Sequence, residues 1–295
     1  MVTFAQLYQC VASQMIHDPN IRIDFSCRKL AMAREMPLKT TITMDPKGVS
    51  IFSLPGHRVV PIRFMLAELC WILAGKGDLE SIASYNKAMV HFSDDGETVT
   101  GSYGLRLKWQ LPVIIERLME DIYTRQACAT IFIEDDCLKQ RRPNMPCNVF
   151  LQYLCRPPLL DLHVTSRSSD FVTGFSIDTF HWQALLIMMA NELIDAHETV
   201  LPNVLHYTIA SLHVYAQDMA MMDGWITPNV SVPTFEHFIP MRGKLHSVMH
   251  NAKRYFTKDL SIAALMDILH IDESNLLKLC KLDDMFKTHR NHVVR

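Results

Sequence analysis

A chain of 295 residues and 33.9 kDa, 49% of them hydrophobic, can bury a substantial core as one large domain or two small ones. A net charge of −2 and a pI near 6.7 supply no basic field for a phosphate backbone, so the expected substrate is a small molecule and no nucleic-acid partner is expected. Eight scattered cysteines without a CxxC pair, no signal peptide, and no apolar run near the ~20 residues that span a bilayer point to reduced thiols in a cytoplasmic chain with no membrane partner.

Residues 1–20 carry helical spacing (Phe4, Leu7, Tyr8, Val11, Met15) up to Asp18-Pro19-Asn20. Thr40–Met44 and Gly48–Leu54 read as strands around the Asp45-Pro46-Lys47-Gly48 turn, and Pro55-Gly56 breaks the chain again. Phe64–Ala74 returns to helical spacing with Glu68 inside its apolar run, where a carboxylate is costly unless it has a task or an Arg partner. Leu111–Tyr123 is an amphipathic helix and Ala127–Ile133 a short strand. Val149–Cys155 and Leu159–Ser168 are strands around Pro157-Pro158. Phe180–Leu193 is apolar nearly all round and is expected to be the central helix. Val204–Tyr215 is a strand, and everything after it reads as helix: Ala216–Trp225, Gly243–Phe256, Ile262–Leu269 and Glu273–Leu282. Strands and helices neither alternate strictly nor segregate, which argues for an α+β fold.

The fourteen histidines form no HExxH or paired Cys/His set, so no metal site is expected, and no GxxxxGK phosphate loop occurs.

The chemistry-bearing segments are Met145-Pro146-Cys147-Asn148, Ser166-Arg167-Ser168-Ser169-Asp170, Asp178 and Ser211-Leu212-His213-Val214-Tyr215. Their order and spacing over roughly residues 25 to 225 resemble the thymidylate synthase superfamily, closest to its pyrimidine hydroxymethylases. The resemblance implies a mixed sheet packed with helices as a catalytic domain over 1–225, and residues 226–295, which match nothing in it, are expected from their own spacing to form a helical C-terminal extension packed on it. It also implies 5,10-methylenetetrahydrofolate as the one-carbon donor, a nucleotide monophosphate as substrate, and a homodimer with shared active sites.

By that resemblance Cys147 adds to C6 of a pyrimidine, which makes C5 reactive. A thiolate suits the step as both nucleophile and leaving group, and the bland reading is a small buried hydrophobe. Arg167 and Ser168 hold the phosphate. Thr124-Arg125-Gln126 resembles a Ser-Arg-Arg segment lent across the dimer, with Arg125 kept and Gln126 a departure, and Arg28 stands for a further N-terminal phosphate Arg that is otherwise a solvated charge. Glu68, in Ala-Glu-Leu-Cys-Trp-Ile-Leu, and Tyr103, in Ser-Tyr-Gly-Leu-Arg, match the residues that manage water and protons about the base. His213 and Tyr215 alternate on a strand and reach the sugar 3′-hydroxyl from one face. Asp170 and Gly174 correspond to the folate contacts. Ser176 is a guess for the 2′ position of the sugar.

Thymidylate synthases carry Asn eight residues after the Asp of Arg-Ser-x-Asp, and here that offset lands on Asp178. An acid there resembles the deoxycytidylate hydroxymethylases, since a carboxyl accepts from the cytosine N4 amine. The alternative is a helix N-cap before Phe180. Asn148 stands where synthases have His, and the chain ends in a lysine- and histidine-rich tail instead of the synthase C-terminus. The expected activity is hydroxymethyl transfer to C5 of dCMP or CMP. The alternatives are a thymidylate synthase, a dUMP hydroxymethylase, or an inactive nucleotide- or folate-binding protein.

Overall fold

The computed structural model describes residues 4–18, 20–25, 32–45, 47–53, 61–93, 95–138, 144–197, 199–223 and 235–293. Its helices are α1 (Phe4–His17), α2 (Ile62–Leu73), α3 (Leu79–Ala83), α4 (Tyr103–Leu107), α5 (Gln110–Glu120), α6 (Glu134–Leu138), α7 (Gly174–Leu193), α8 (Ala216–Asp223), α9 (Leu245–Tyr255), α10 (Ile262–Leu269) and α11 (Leu276–Val293). The strands are β1 (Arg22–Phe25), β2 (Met32–Thr43), β3 (Val49–Ser53), β4 (Cys128–Thr130), β5 (Asn148–Arg156), β6 (Leu159–Ser166), β7 (Ser169–Asp170), β8 (Leu201–Tyr215) and β9 (Phe235–Ile239).

One sheet runs β1-β2-β8-β6-β5-β4, with β7 beside the far end of β8. β6 and β7 lie parallel to β8 and the other pairs are antiparallel, which makes the sheet mixed and the fold α+β as expected. Alternation along β5 buries Leu151, Tyr153 and Cys155 while Phe150, Gln152 and Leu154 remain partly exposed, so one sheet face is core and the other is open. On the buried face lies α7, whose Trp182, Ala184, Leu185 and Leu186 are fully buried because no polar stripe interrupts its circumference.

β2 is much longer than expected. Pro37 has no N–H to give the ladder, and it sits at a register shift between Met36 and Leu38 where two residues of β8 oppose one of β2. The shift changes which β8 positions are buried, from Leu205, Tyr207 and Ile209 to Leu212 and Val214. His213 and Tyr215 are thereby left half-buried at the strand's end.

Strands flank the Asp45–Gly48 turn as expected, and β3 joins β9 in a separate two-stranded sheet, Val49 opposite Ile239. Two expectations need correction. The segment after Tyr215 is not wholly helical, because β9 is a strand whose partner lies nearly 190 positions away, beyond any local periodicity signal. And α7 begins at Gly174, six residues before Phe180, so Asp178 lies inside the helix and caps nothing. The start Gly-Phe-Ser-Ile-Asp-Thr, which alternates apolar and polar residues, conceals that first turn and a half. The expected domain boundary at 225 falls in residues 224–234, outside the described residues.

Helices α9, α10 and α11 pack on α2, and α9 also meets α7. The contact at the start of α2 is specific. Pro61 provides no side-chain cap and the first turn has no acid, so the N–H of Arg63 is one of the orphan donors of a helix start. Asp283, buried on α11, accepts it at 3.0 Å, while Arg63 Nε donates to the Leu260 carbonyl at 2.9 Å and its guanidinium lies over the Tyr85 ring.

Candidate active site

Cys147 lies just ahead of β5, half-buried. Arg167, just past β6, reaches back over it: Nε donates to the Pro146 carbonyl at 2.9 Å, Nη2 to the Met145 carbonyl at 2.8 Å, and Nη2 lies 3.8 Å from the Cys147 sulfur. The Arg167 N–H also donates to the Cys147 carbonyl. Cation and thiol are thus held together by backbone, which is the pairing that nucleophilic cysteine requires.

Asp178 faces the same space from α7. Asn148 Nδ2 donates to its Oδ2 at 3.0 Å, and burial pushes the pKa of Asp178 up to about 7 against the opposing influence of that hydrogen bond. Glu68 on α2 is pushed further, to about 8, by burial and then by the charge of Asp178. His181 lies beneath: its Nε2 faces the Met65 carbonyl at 3.2 Å and Glu68 at 3.9 Å, and burial lowers it to about 4, so the imidazole is neutral and offers Glu68 no compensating charge. At neutral pH the two carboxyls therefore hold a proton that can be given or taken.

Tyr103 opens α4, capped by Ser102, and stacks on Trp182 with ring centroids 5.9 Å apart. Burial raises its phenol well above the ordinary value, and the charges of Asp178, Cys147, Tyr207 and Glu68 add to the effect, which places the hydroxyl among them. The following glycine matters. A Cβ on Gly104 would fall 2.8 Å from the Ile72 carbonyl, so glycine lets α4 lie against α2 and brings Tyr103 to the helix of Glu68.

Ser168 Oγ lies 3.3 Å from His213 Nδ1, and the His213 and Tyr215 rings meet edge to face at 5.1 Å, so both share one face. β7 sets Asp170 opposite His213. Asp170 Oδ1 accepts from the N–H groups of Val172 and Thr173 and so shapes the turn into α7, and Tyr8 braces that turn by stacking on Phe171 at 4.2 Å and donating to its carbonyl. A methyl on Gly174 would make only ordinary contacts with Ser169 and Asp170, so no clash within the chain demands glycine there. Ser176 is buried in α7.

Two expected phosphate contacts stand apart. Arg28 lies outside the described residues. Arg125 is exposed in the loop after α5, its carbonyl accepting from Gln152 on the open sheet face, five residues along β5 from Cys147 and so roughly 16 Å away. Within one protomer it does not join the cysteine.

Sequence reasoning missed the role of Asn148. It is fully buried, its Oδ1 accepting from the Ser166 and Tyr207 hydroxyls while its Nδ2 serves Asp178. A polar residue directly after the cysteine was visible, but its partners are 18, 59 and 30 positions away. His181, an isolated histidine in an apolar helix, carried only a weak signal. Among the described residues no group of three or more His, Cys, Asp or Glu is arranged to hold a metal, and no helix is long and apolar enough to cross a membrane.

Comparison with known proteins places this arrangement. A family model described as thymidylate synthase matches residues 32–251. A deoxyuridylate hydroxymethyltransferase of Bacillus phage SP01 is 34% identical over 182 residues, 56% of this chain and 46% of the relative. A protein of the same name from Pseudomonas phage M6 is 30% identical over 193 residues, 60% of this chain and 53% of the relative. The chain thus spans about half the length of the curated relatives it matches. With three quarters of the residues inside the family match, and cysteine, arginine and paired carboxyls gathered at one pocket, the chain belongs to the thymidylate synthase family.

Proposed function

We propose that this protein transfers a one-carbon unit to C5 of a cytosine nucleotide monophosphate and releases the 5-hydroxymethyl product. The observation that carries the reading is the carboxyl of Asp178, bound by Asn148, facing the pocket that holds Glu68 and the Cys147–Arg167 pair. The names of the two phage relatives support hydroxymethyl transfer as the outcome.

In this reading Cys147 adds to C6 and C5 becomes the nucleophile. 5,10-Methylenetetrahydrofolate supplies the carbon at the formaldehyde level when bound. Asp170 has one carboxylate oxygen engaged by the turn and the other directed to a ring N–H in this reading, and Gly174, with only Ser169 and Asp170 at ordinary contact distance, adds no bulk beside it, so both fit an extended ring system. A water held by the Tyr103 hydroxyl and Glu68 takes the proton that leaves C5, Glu68 positions the water that completes the hydroxymethyl group, and the sulfur departs from C6. The exposed edge of Arg167, with Ser168, holds phosphate, and His213 with Tyr215 holds the sugar hydroxyl. A second copy meeting the open sheet face would bring its Arg125 to the neighbour's phosphate, so the working unit in this proposal is a homodimer.

A second reading is transfer to a uracil nucleotide, favoured by the deoxyuridylate named in both relatives. Incubation with CMP, dCMP, UMP or dUMP plus methylenetetrahydrofolate, followed by product mass, separates these readings and distinguishes methyl from hydroxymethyl. Failure to release tritium from C5 of every nucleotide would leave only a binding protein.

A further inference from the structure

Both polar atoms of the Asn148 amide are committed. Oδ1 accepts the hydroxyl protons of Ser166 and, at 3.1 Å, of Tyr207, and these two hydroxyls are themselves 3.3 Å apart. Nδ2 is therefore turned towards Asp178 and donates to its Oδ2 at 3.0 Å. The carbonyl oxygen of a protonated carboxyl is much the stronger acceptor, so with Oδ2 engaged by the amide the proton of Asp178 is favoured on Oδ1. A carboxyl free of such a clamp can move its proton between its oxygens and present either order of donor and acceptor. This one favours a single order.

We propose that Asn148, locked by Ser166 and Tyr207, fixes the polarity of the Asp178 carboxyl and thereby sets which pyrimidine base the site accepts. The inference rests on the transfer reading above and deepens it. Cytosine offers a donor at N4 beside an acceptor at N3, and uracil offers an acceptor at O4 beside a donor at N3. With Oδ2 towards the exocyclic group and the proton on Oδ1, the cytosine edge is matched at both positions, whereas the uracil edge meets lone pair against lone pair and donor against donor. Position 178 supplies the carboxyl, and position 148 decides which way it reads. Asn148 is thus a positioning residue that acts through Asp178.

The test compares kcat/KM for dCMP and dUMP in the full chain with methylenetetrahydrofolate. Asn148→Asp is isosteric and, accepting from both hydroxyls, stays ionised, so the proton shared by the two carboxyls sits on Asp178 Oδ2 and makes that oxygen the donor. The dCMP-to-dUMP ratio is expected to shift towards uracil by at least about tenfold, the equivalent of one misdirected hydrogen bond. Asn148→Ala removes the direction altogether, and the ratio is expected to move towards unity. Circular dichroism and thermal melting establish that each variant is folded. If Asn148→Asp does not fold, Ser166→Ala, which releases half of the lock on the amide, is expected to relax the ratio in the same sense. A ratio within about twofold of the parent in the folded variants, whatever happens to the absolute rates, would overturn the inference and leave the transfer reading standing. A parent protein inert towards both nucleotides would overturn the transfer reading and the inference with it.

Discussion

Glu68 on α2 and Asp178 on α7 share one proton-holding pocket, and the charge of Asp178 adds to burial in keeping Glu68 protonated up to about 8. Both carboxyls bind protons more tightly in the folded chain than an unfolded chain would. The resulting stabilisation is fully present below the ordinary carboxylate range, about pH 4, and is lost as pH rises towards 8. Glu68→Gln, which has no proton to lose, is expected to melt above the parent near pH 8.5, by an amount on the order of 2 kcal/mol, and to lose that advantage near pH 5. Thermal melts across that range check the sign. A parent whose stability rises relative to the variant on alkalinisation would contradict the arrangement.

Cys147→Ser is expected to abolish both product formation and tritium release from C5, since an alcohol beside Arg167 is a far weaker nucleophile than a thiolate. Because the side chain is half-buried at a strand start, the melting temperature should change by no more than about 2 °C. Isothermal nucleotide binding separates lost chemistry from lost affinity.

Much of this site could be read in the chain before any coordinates. Cys147, Arg167, Ser168, Asp170, His213 and Tyr215 lie on or beside strands whose alternation is plain, and the structure brings them together. What could not be read depends on distance along the chain. The pairing of β3 with β9 and the bond between Asn148 and Tyr207 join residues that no window of sequence contains together. The start of α7 was hidden for a different reason: its first six residues alternate apolar and polar around Phe175 and Ile177 instead of following helical spacing, and Asp170 with the stacked Phe171 and Tyr8 shapes the turn that leads into it.

Asp178→Asn combined with Asn148→Asp, whose carboxylate accepts from the new amide and turns its NH2 to the exocyclic side, is expected to raise the preference for uracil nucleotides over cytosine by at least about tenfold, because the amide then presents a donor to O4 and an acceptor to N3–H, whereas Asp178→Asn alone keeps its oxygen on the Asn148 amide. Competition between dCMP and dUMP, read by product mass, decides it. An unchanged preference would remove the carboxyl from base recognition.

Asp283→Ala withdraws the acceptor from the Arg63 N–H at the start of α2. The expected cost is about 1–2 kcal/mol, as for loss of a helix cap, with a fall in melting temperature of roughly 2–4 °C. Turnover is expected to fall while nucleotide affinity holds, since α2 carries Glu68 and not the phosphate contacts. A stability and rate equal to the parent would show that the contact is dispensable.

The bond from Arg63 to Asp283 crosses 220 positions of sequence, and it ties the last helix of the chain to the root of the helix bearing the pocket's acid. Shuffling this protein with its kin would accordingly have to exchange those two segments as a matched set. A hybrid that inherits α2 from one parent and the closing helices from another would start its acid-bearing helix on a bare amide, and the fault would surface as sluggish proton handling at a site which neither crossover point touches.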